Sequence, residues 1–170
     1  MADTGLSGIL LVGGASTRFG SPKALARYGD ETLAERAWRL LGELCDERIA
    51  VGPLDGLPFP AVEDEGTGPV AAIAAGLRAA TREFAVVVPV DMPLLTAEAL
   101  GFLAEACREA AVAQDGPLPC AVARRVLPAF ERGERKLRTV LAALDTVQVE
   151  LDPAILANVN TRSDLDTLAS

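Results

Sequence analysis

A glycine-rich segment near the N-terminus has the composition of a polyphosphate-binding loop. It reads Leu-Val-Gly-Gly-Ala-Ser-Thr-Arg-Phe-Gly-Ser-Pro-Lys and ends at Lys23. Gly13 and Gly14 let backbone N–H groups approach an anion closely, and Ser16 adds a hydroxyl donor. Arg18 and Lys23 supply positive charge within the loop. The spacing fits neither the P-loop nor the dinucleotide-binding pattern, so an ordinary glycine turn is the alternative.

A single carboxylate follows the most apolar run of the chain. Asp91 stands between Pro89 and Pro93, directly after Phe84–Val88. Ligands of open α/β sheets bind beyond the carboxyl ends of strands. A carboxylate at that position, between two prolines that fix the backbone, can hold a hard cation such as Mg²⁺. The alternative is an aspartate that caps the turn before the next helix.

Two asparagines near the C-terminus could contribute to the same site. Asn158 and Asn160 are two residues apart, so in an extended segment their side chains point the same way. An amide oxygen could then join a carboxylate on Mg²⁺ without adding charge. A polar turn before the last helix would have the same sequence.

An acidic, glycine-rich loop leads into an alanine-rich helix that Pro69 could open. Within this loop, Asp64 and its neighbours Glu63 and Glu65 could accept hydrogen bonds from a base or a ribose. Solvated loops often have a similar composition, so this signal is weak by itself.

A local basic stretch contrasts with the acidic balance of the chain. It could receive a phosphorylated second substrate, or it could be the solvated face of amphipathic helices. Its members are Arg124, Arg125, Arg132, Arg135, Lys136 and Arg138.

The elements that must position these residues alternate between strand and helix. The patterns predict strands at 6–12, 48–51, 84–88, 120–123 and 147–151, with a short strand around 61–62. They predict helices at 33–45, 69–80, from 96 to before 115, 126–132, 137–144, and from 161 onward. This order indicates an α/β fold with three α/β/α layers and a mostly parallel, Rossmann-like sheet.

Composition narrows the possible functions. The 170 residues fit one domain, half of them are apolar, and the net charge is −8. A nucleic-acid-binding protein would have the opposite charge, so we expect no nucleic acid partner. No signal peptide or apolar run long enough for a bilayer is apparent, so we expect no membrane and a cytoplasmic location.

Histidine is absent, which excludes histidine-dependent nucleophilic catalysis and histidine metal ligation. Cys45, Cys107 and Cys120 are far apart in the sequence, so neither a zinc motif nor a redox pair is expected. Chemistry must therefore use carboxylates, amides, cations, backbone groups or a bound metal.

Taken in order, these motifs resemble the nucleotidylyltransferases of molybdenum cofactor synthesis, and the guanylyltransferase family is most similar. The opening pattern is met by Leu11, Gly13, Gly14, Arg18, Gly20 and Lys23. The later patterns are met by Glu63-Asp64, Gly68-Pro69, Pro89-Val90-Asp91-Met92-Pro93, Gly133-Glu134-Arg135 and Asn158-Val159-Asn160-Thr161. The resemblance spans nearly the whole chain.

The resemblance implies a role for each matched residue. Leu11, Gly13 and Gly14 would contact the nucleotide through backbone groups, and Lys23 would bind its phosphates. Asp64 would help to recognise the base or ribose, and Gly68 would be a further nucleotide-binding residue.

Asp91 would hold Mg²⁺ with help from Asn160, and Arg18, Lys23 and Asp91 would be the catalytic residues. Independently of the resemblance, we expect Arg124 and Arg135 of the basic stretch, together with Asn158, to face the acceptor.

The reaction implied is transfer of GMP from GTP to molybdopterin with release of pyrophosphate. Residues of roughly 1–95 would bind the nucleotide, and residues of roughly 96–170 would bind the acceptor. We expect a monomer, and contact with molybdenum enzymes or other cofactor-synthesis proteins stays open.

Three departures bear on the substrates. Gly52 stands where the family has an asparagine, Leu118-Pro119 replaces a His-Pro pair, and residues 112–123 are fewer than usual. The alternatives are a CTP-using molybdopterin cytidylyltransferase, a sugar-phosphate nucleotidylyltransferase and a non-catalytic nucleotide-binding regulatory relative.

Overall fold

The computed structural model describes residues 5–13, 22–52, 55–66 and 68–170. Its centre is a seven-stranded sheet of order β5-β4-β1-β6-β8-β7-β9, and β2 and β3 form a separate small hairpin. The strands are β1 Leu6–Leu11, β2 Arg27–Tyr28, β3 Glu31–Thr32, β4 Glu47–Val51, β5 Ala61–Val62, β6 Phe84–Pro89, β7 Ala110–Ala113, β8 Cys120–Ala123 and β9 Thr146–Val149.

The half of the sheet that contains β1 is entirely parallel. Strand β1 pairs with β4 on one side and β6 on the other, and β4 pairs with β5. Strand β8 is antiparallel to both β6 and β7, while β9 is parallel to β7. The predicted α/β fold with a mostly parallel sheet is confirmed. Because β1, β4, β5 and β6 run the same way, their carboxyl ends meet at one edge.

Helices cover both faces of the sheet. They are α1 Leu33–Leu44, α2 Pro69–Ala79, α3 Ala97–Ala106, α4 Leu127–Phe130, α5 Leu137–Ala142 and α6 Arg162–Ala169. Helices α1, α3 and α6 bury side chains in one core cluster, and α2, α4 and α5 bury theirs in the other. Among the described residues, no helix is long and apolar enough to cross a bilayer.

Local sequence signals explain where several of these helices begin. A capping box of Thr32 and Glu35 is present at the start of α1, and Thr161 with Asp164 forms a second one at α6. Pro69 is the first residue of α2, where the missing N–H of proline costs nothing. These starts agree with the sequence predictions.

The prediction of one helix running from residue 96 to before 115 is wrong. Helix α3 ends at Ala106, and Ala110–Ala113 is the strand β7. This alanine-rich segment fits either state locally, since no glycine or proline marks the end of α3. Pairing with β8 and β9 decides the outcome, which is a tertiary effect that periodicity does not contain.

Candidate active site at the carboxyl edge of the sheet

Three segments of the predicted site leave the sheet side by side. Gly13 follows β1, Asp91 follows β6, and Asp64 follows β5. The register pairs Leu11 with Pro89, which places the ends of β1 and β6 next to each other. Parallel strands with aligned ends therefore bring Gly13 and Asp91 to neighbouring positions.

A cavity of about 580 Å³ opens where these segments meet. Six of the residues expected to bind the nucleotide line it, namely Leu11, Gly13, Lys23, Asp64, Gly68 and Asp91. Val51, Pro69, Ala72 and Leu118 add apolar wall. A concave site with a few polar groups on an apolar wall is typical of a small-molecule site.

Lys23 and Asp91 form an ion pair inside this cavity. The Lys23 Nζ lies 3.6 Å from the Asp91 Oδ2, and the two side chains are 15% and 26% exposed. Burial raises the pKa of the Asp91 carboxyl, and the nearby Lys23 ammonium opposes this rise without cancelling it. Lys23 begins a short 3₁₀ turn, Lys23–Leu25, whose Ala24 is buried in the core. The turn thus fixes where the lysine stem leaves the backbone.

The second oxygen of Asp91 is suited to a cation. The Asp91 Oδ1 is buried and has no hydrogen-bond partner among the described residues. A buried, unpartnered carboxylate oxygen is costly unless a cation or donor reaches it. No group of three acidic or thiol side chains that could hold a metal occurs in the described ranges. The donor set fits Mg²⁺, which commonly binds one or two carboxylates together with substrate phosphates and water.

The acidic loop folds back on itself beside the cavity. The Asp64 Oδ1 accepts a hydrogen bond of 3.0 Å from the Gly66 backbone N–H. Gly66 and Gly68 have φ of +69° and +105°, which favour glycine, and Gly68 is the N-cap of α2. The other carboxylate oxygen of Asp64 has no hydrogen bond to another described residue. It is available to a ligand.

Gly52 is required by the close approach of two backbone segments. Its φ is +142°, and a Cβ on it would lie 2.5 Å from the Gly13 backbone nitrogen. The Gly52 N–H also donates to the Val62 carbonyl over 2.9 Å, which joins the end of β4 to β5. An asparagine at this position would displace the turn after β1. The backbone of this chain therefore requires glycine at position 52.

A smaller cavity of about 280 Å³ adjoins the first one. Pro89, Asp91 and Leu118 line both cavities. Asn158 also lines the smaller one, as do Asp115 and Arg138. Asp91 is therefore the only ionisable side chain shared by the two cavities among the described residues.

The asparagine segment is tied to Asp91 through the backbone. The Val159 N–H donates to the Asp91 carbonyl over 2.8 Å, and the Val159 side chain is fully buried. Asn158 and Asn160 flank this anchor and are both exposed. Asn160 lines neither cavity, and its backbone N–H donates to the Asp164 Oδ2 over 2.9 Å. The anchor places the backbone of this segment beside the backbone of Asp91.

The remaining predicted residues divide into two groups. Gly14, Ser16 and Arg18 lie outside the described residues. The expectation that Arg124 meets the acceptor disagrees with the structure, because Arg124 follows β8 at the amino end of β6. Asp91 lies beyond the other end of that strand, seven residues after Phe84, or about 23 Å at roughly 3.3 Å per residue. The Arg124 Nε donates to the Ala80 carbonyl over 2.6 Å. Arg135 is exposed and lines neither cavity.

Sequence reasoning did not single out Arg138 or Leu118. Arg138 was one cation among six in the basic stretch, and its neighbours gave no reason to prefer it. Leu118 was noted as a departure from the family pattern. Only the packing of α5 and of the turn before β8 brings these two side chains to the smaller cavity.

The three cysteines are shielded from solvent to different degrees. Cys120 is buried, and Cys45 and Cys107 are half-buried. Burial raises the pKa of the Cys45 and Cys120 thiols to about 12 and that of Cys107 to about 11. At neutral pH these thiols are protonated and poor nucleophiles.

Gly13, a lysine and a buried carboxylate at the carboxyl ends of parallel strands are typical of α/β proteins that bind a ligand at this edge of the sheet. Comparison with known proteins identifies the class more closely. The chain belongs to the family described as the MobA-like NTP transferase domain, which it matches over residues 8–148. The protein is thus an enzyme of the nucleotidyltransferase type.

Individual relatives agree with this assignment. A probable molybdenum cofactor guanylyltransferase of Mycobacterium avium (strain 104) is 36% identical, with 99% of this chain and 98% of that protein covered. A nucleotidyl transferase from Methanothermobacter has the same fold, with a TM-score of 0.82, 20% identity, and 97% and 96% of the two chains covered. A Mycobacterium tuberculosis H37Rv protein solved in complex with manganese superposes with a TM-score of 0.74, 21% identity and 98% coverage of both chains.

Proposed function

We propose that this enzyme transfers GMP from GTP to molybdopterin in a Mg²⁺-dependent reaction that releases pyrophosphate. The observation that carries the proposal is the convergence of Gly13, Lys23 and Asp91 on one cavity, with the Lys23 Nζ 3.6 Å from the Asp91 Oδ2. The guanylyltransferase relative, similar over almost its full length, supports the choice of substrates.

The chain's own residues bind and neutralise the triphosphate. Backbone N–H groups around Gly13 and the Lys23 ammonium bind phosphate oxygens, and Arg18 adds charge against the departing pyrophosphate. Asp91 would hold the metal, assisted by the Asn160 amide. When bound, Mg²⁺ supplies Lewis-acid neutralisation of the phosphate oxygens.

The transfer is an in-line displacement at the α-phosphorus. A terminal phosphate oxygen of molybdopterin forms the new P–O bond, and the bond from the α-phosphorus to the bridging oxygen breaks. The electron pair leaves with pyrophosphate. The attacking phosphate is already anionic, so the absence of histidine is no obstacle. Positioning and charge neutralisation then account for most of the catalysis.

Guanine recognition is assigned to the wall formed by Asp64 and Gly68. A carboxylate oxygen can accept hydrogen bonds from the N1–H and exocyclic amine of guanine, which both donate. Cytosine presents one donor beside an acceptor, and the acceptor would face a carboxylate at a cost. This difference favours GTP over CTP.

The proposal also includes the oligomeric state, the location and the proteins that receive the product. We propose action as a monomer in the cytoplasm, where GTP and Mg²⁺ are available. Delivery of the product to molybdenum enzymes or other cofactor-synthesis proteins belongs to the same proposal.

The test is product mass after incubation with molybdopterin, Mg²⁺ and either GTP or CTP. We expect molybdopterin guanine dinucleotide and stoichiometric pyrophosphate with GTP, a much slower reaction with CTP, and none after chelation of the metal. Preferential use of CTP would refute the assignment of guanine as the base and would indicate a cytidylyltransferase. Tight GTP binding by calorimetry without any product would favour a regulatory relative and refute the proposed catalysis.

A further inference from the structure

The smaller cavity borders the position at which transfer would occur. It shares Pro89, Asp91 and Leu118 with the nucleotide cavity, so a molecule bound there lies beside any nucleotide held at Asp91. Its volume of about 280 Å³ suits part of a small acceptor rather than a second nucleotide. This inference rests on the proposed function, because it concerns the acceptor of the same reaction.

Charge is the main obstacle for an acceptor that carries a phosphate. The chain has a net charge of −8, and the cavity wall contains the carboxylates of Asp91 and Asp115. A phosphate monoester must also approach the triphosphate, so two anions must come within bonding distance. Such an approach requires a cation in or beside the cavity. Among the described residues that line it, Arg138 is the only cation.

The core packing of α5 fixes the backbone position of Arg138, while its guanidinium has no partner among the described residues. Its neighbours in α5, Leu137, Val140 and Leu141, are buried in the core. The Arg138 Nη2 lies 4.0 Å from the position that a Cβ on Gly116 would occupy, so the guanidinium reaches the turn that closes the cavity. Its guanidinium makes no hydrogen bond or ion pair with any other described residue. All of its donors remain available.

Other arginines near the ends of the sheet are already engaged. The Arg36 Nε donates to the Pro93 carbonyl over 2.6 Å, and Arg124 donates to the Ala80 carbonyl at the opposite edge. A free guanidinium beside the cavity contrasts with both. A planar guanidinium can also form two parallel hydrogen bonds to one phosphate group.

We propose that Arg138 binds the terminal phosphate of the acceptor in the smaller cavity and thereby selects acceptors that carry a phosphate monoester. Arg138 holds the phosphate whose oxygen attacks the α-phosphorus. Asn158, which lines the same cavity, supplies a neutral hydrogen-bonding group beside it.

The experiment compares Arg138→Ala with Arg132→Ala. Arg132 is an exposed arginine of the same basic stretch that lines neither cavity, so both variants remove one charge. With molybdopterin as the varied substrate, Arg138→Ala is expected to raise the acceptor KM about 10- to 100-fold, as loss of charged hydrogen bonds does. The GTP dissociation constant and the melting temperature should not change, and Arg138→Lys should recover part of the loss.

Two results would overturn the assignment of Arg138. One is an acceptor KM within twofold of the unmodified enzyme. The other is an equal rise in Arg132→Ala, which would indicate a general effect of surface charge.

The proposed function and this inference can fail separately. If the unmodified enzyme yields no dinucleotide, equilibrium dialysis of molybdopterin against the GTP-loaded protein still tests Arg138. Binding that is lost in Arg138→Ala but kept in Arg132→Ala supports the inference. Equal binding by both variants, or no binding by the unmodified enzyme, refutes it.

Discussion

At the scale of single residues, the chemistry depends on a carboxylate held in an unfavourable environment. Asp91 is largely buried, one of its oxygens has no partner among the described residues, and its pKa is raised despite the Lys23 ammonium 3.6 Å away. An ionised group in such a place binds a cation readily because the cation relieves the cost of burial. In the free protein the Lys23 ammonium partly relieves this cost. In the proposed complex the nucleotide phosphates would bind Lys23 instead.

The raised pKa of Asp91 predicts opposite effects of Asp91→Asn on stability and activity. The folded carboxyl keeps its proton to a higher pH than the unfolded one, so its ionisation destabilises the metal-free fold. This cost is absent in acid and develops as the pH rises through the raised pKa. The variant should therefore be more stable than the unmodified protein at neutral pH, with the difference vanishing in acid, while transfer falls at least about 100-fold.

Urea denaturation in EDTA, at neutral pH and in acid, measures the difference in stability. A pyrophosphate-release assay measures the loss of transfer. Asp55→Asn is the control, since that carboxylate is exposed and should change neither quantity. Loss of stability at neutral pH in Asp91→Asn would show that the ion pair with Lys23 outweighs burial. Undiminished transfer would remove Asp91 from the catalytic residues.

At the scale of elements, the site depends on how closely α2 packs against β1. Gly76 of α2 lies over Ile9, and a Cβ on Gly76 would be 2.8 Å from the Ile9 Cγ2. Ile9 is fully buried two residues before Leu11, which lines the nucleotide cavity. The same helix begins at Pro69, beside the acidic loop. A change in this packing would therefore move two walls of the cavity.

Two glycine substitutions in helices should have opposite effects. Gly76→Ala should lower the free energy of unfolding by about 1 kcal/mol, because overpacking costs about 1–3 kcal/mol and the gain in helix propensity is about 1 kcal/mol. Gly101→Ala in α3 should gain about 0.5–1 kcal/mol, since the nearest atom to its Cβ, the Leu44 Cδ1, is 3.9 Å away. Urea unfolding measures both, and stabilisation by Gly76→Ala would contradict the packing of α2 on β1.

At the scale of the whole molecule, the sequence predicted the parallel half of the sheet better than the other half. Strands β1 and β6 contain the apolar runs 9–12 and 84–88, and a glycine or a proline follows each run, so local signals mark these strands. No glycine or proline separates the alanine-rich β7 from α3, and its pairing with β8 and β9 makes it a strand. The small β2–β3 hairpin has too few residues for a periodic signal.

The same distinction applies to the candidate site. Gly13, Asp64 and Asp91 were predictable because each follows a strand, and the fold brings strand ends together. Arg138 was not, since its place depends on how α5 docks and on the turn at Gly116. Arg124 has the same charge and a similar sequence context, but the antiparallel course of β8 carries it to the other edge.

The most direct test of the account is a Mn²⁺ titration followed by electron paramagnetic resonance, with and without GTP, on the unmodified protein and on Asp91→Asn. Mn²⁺ is a spectroscopic substitute for Mg²⁺ with similar oxygen ligands. We expect one tight Mn²⁺ site that forms only when GTP is present and is lost in Asp91→Asn. A GTP-dependent site of unchanged affinity in Asp91→Asn would contradict the claim that Asp91 and the glycine turn converge on a single metal-bound polyphosphate.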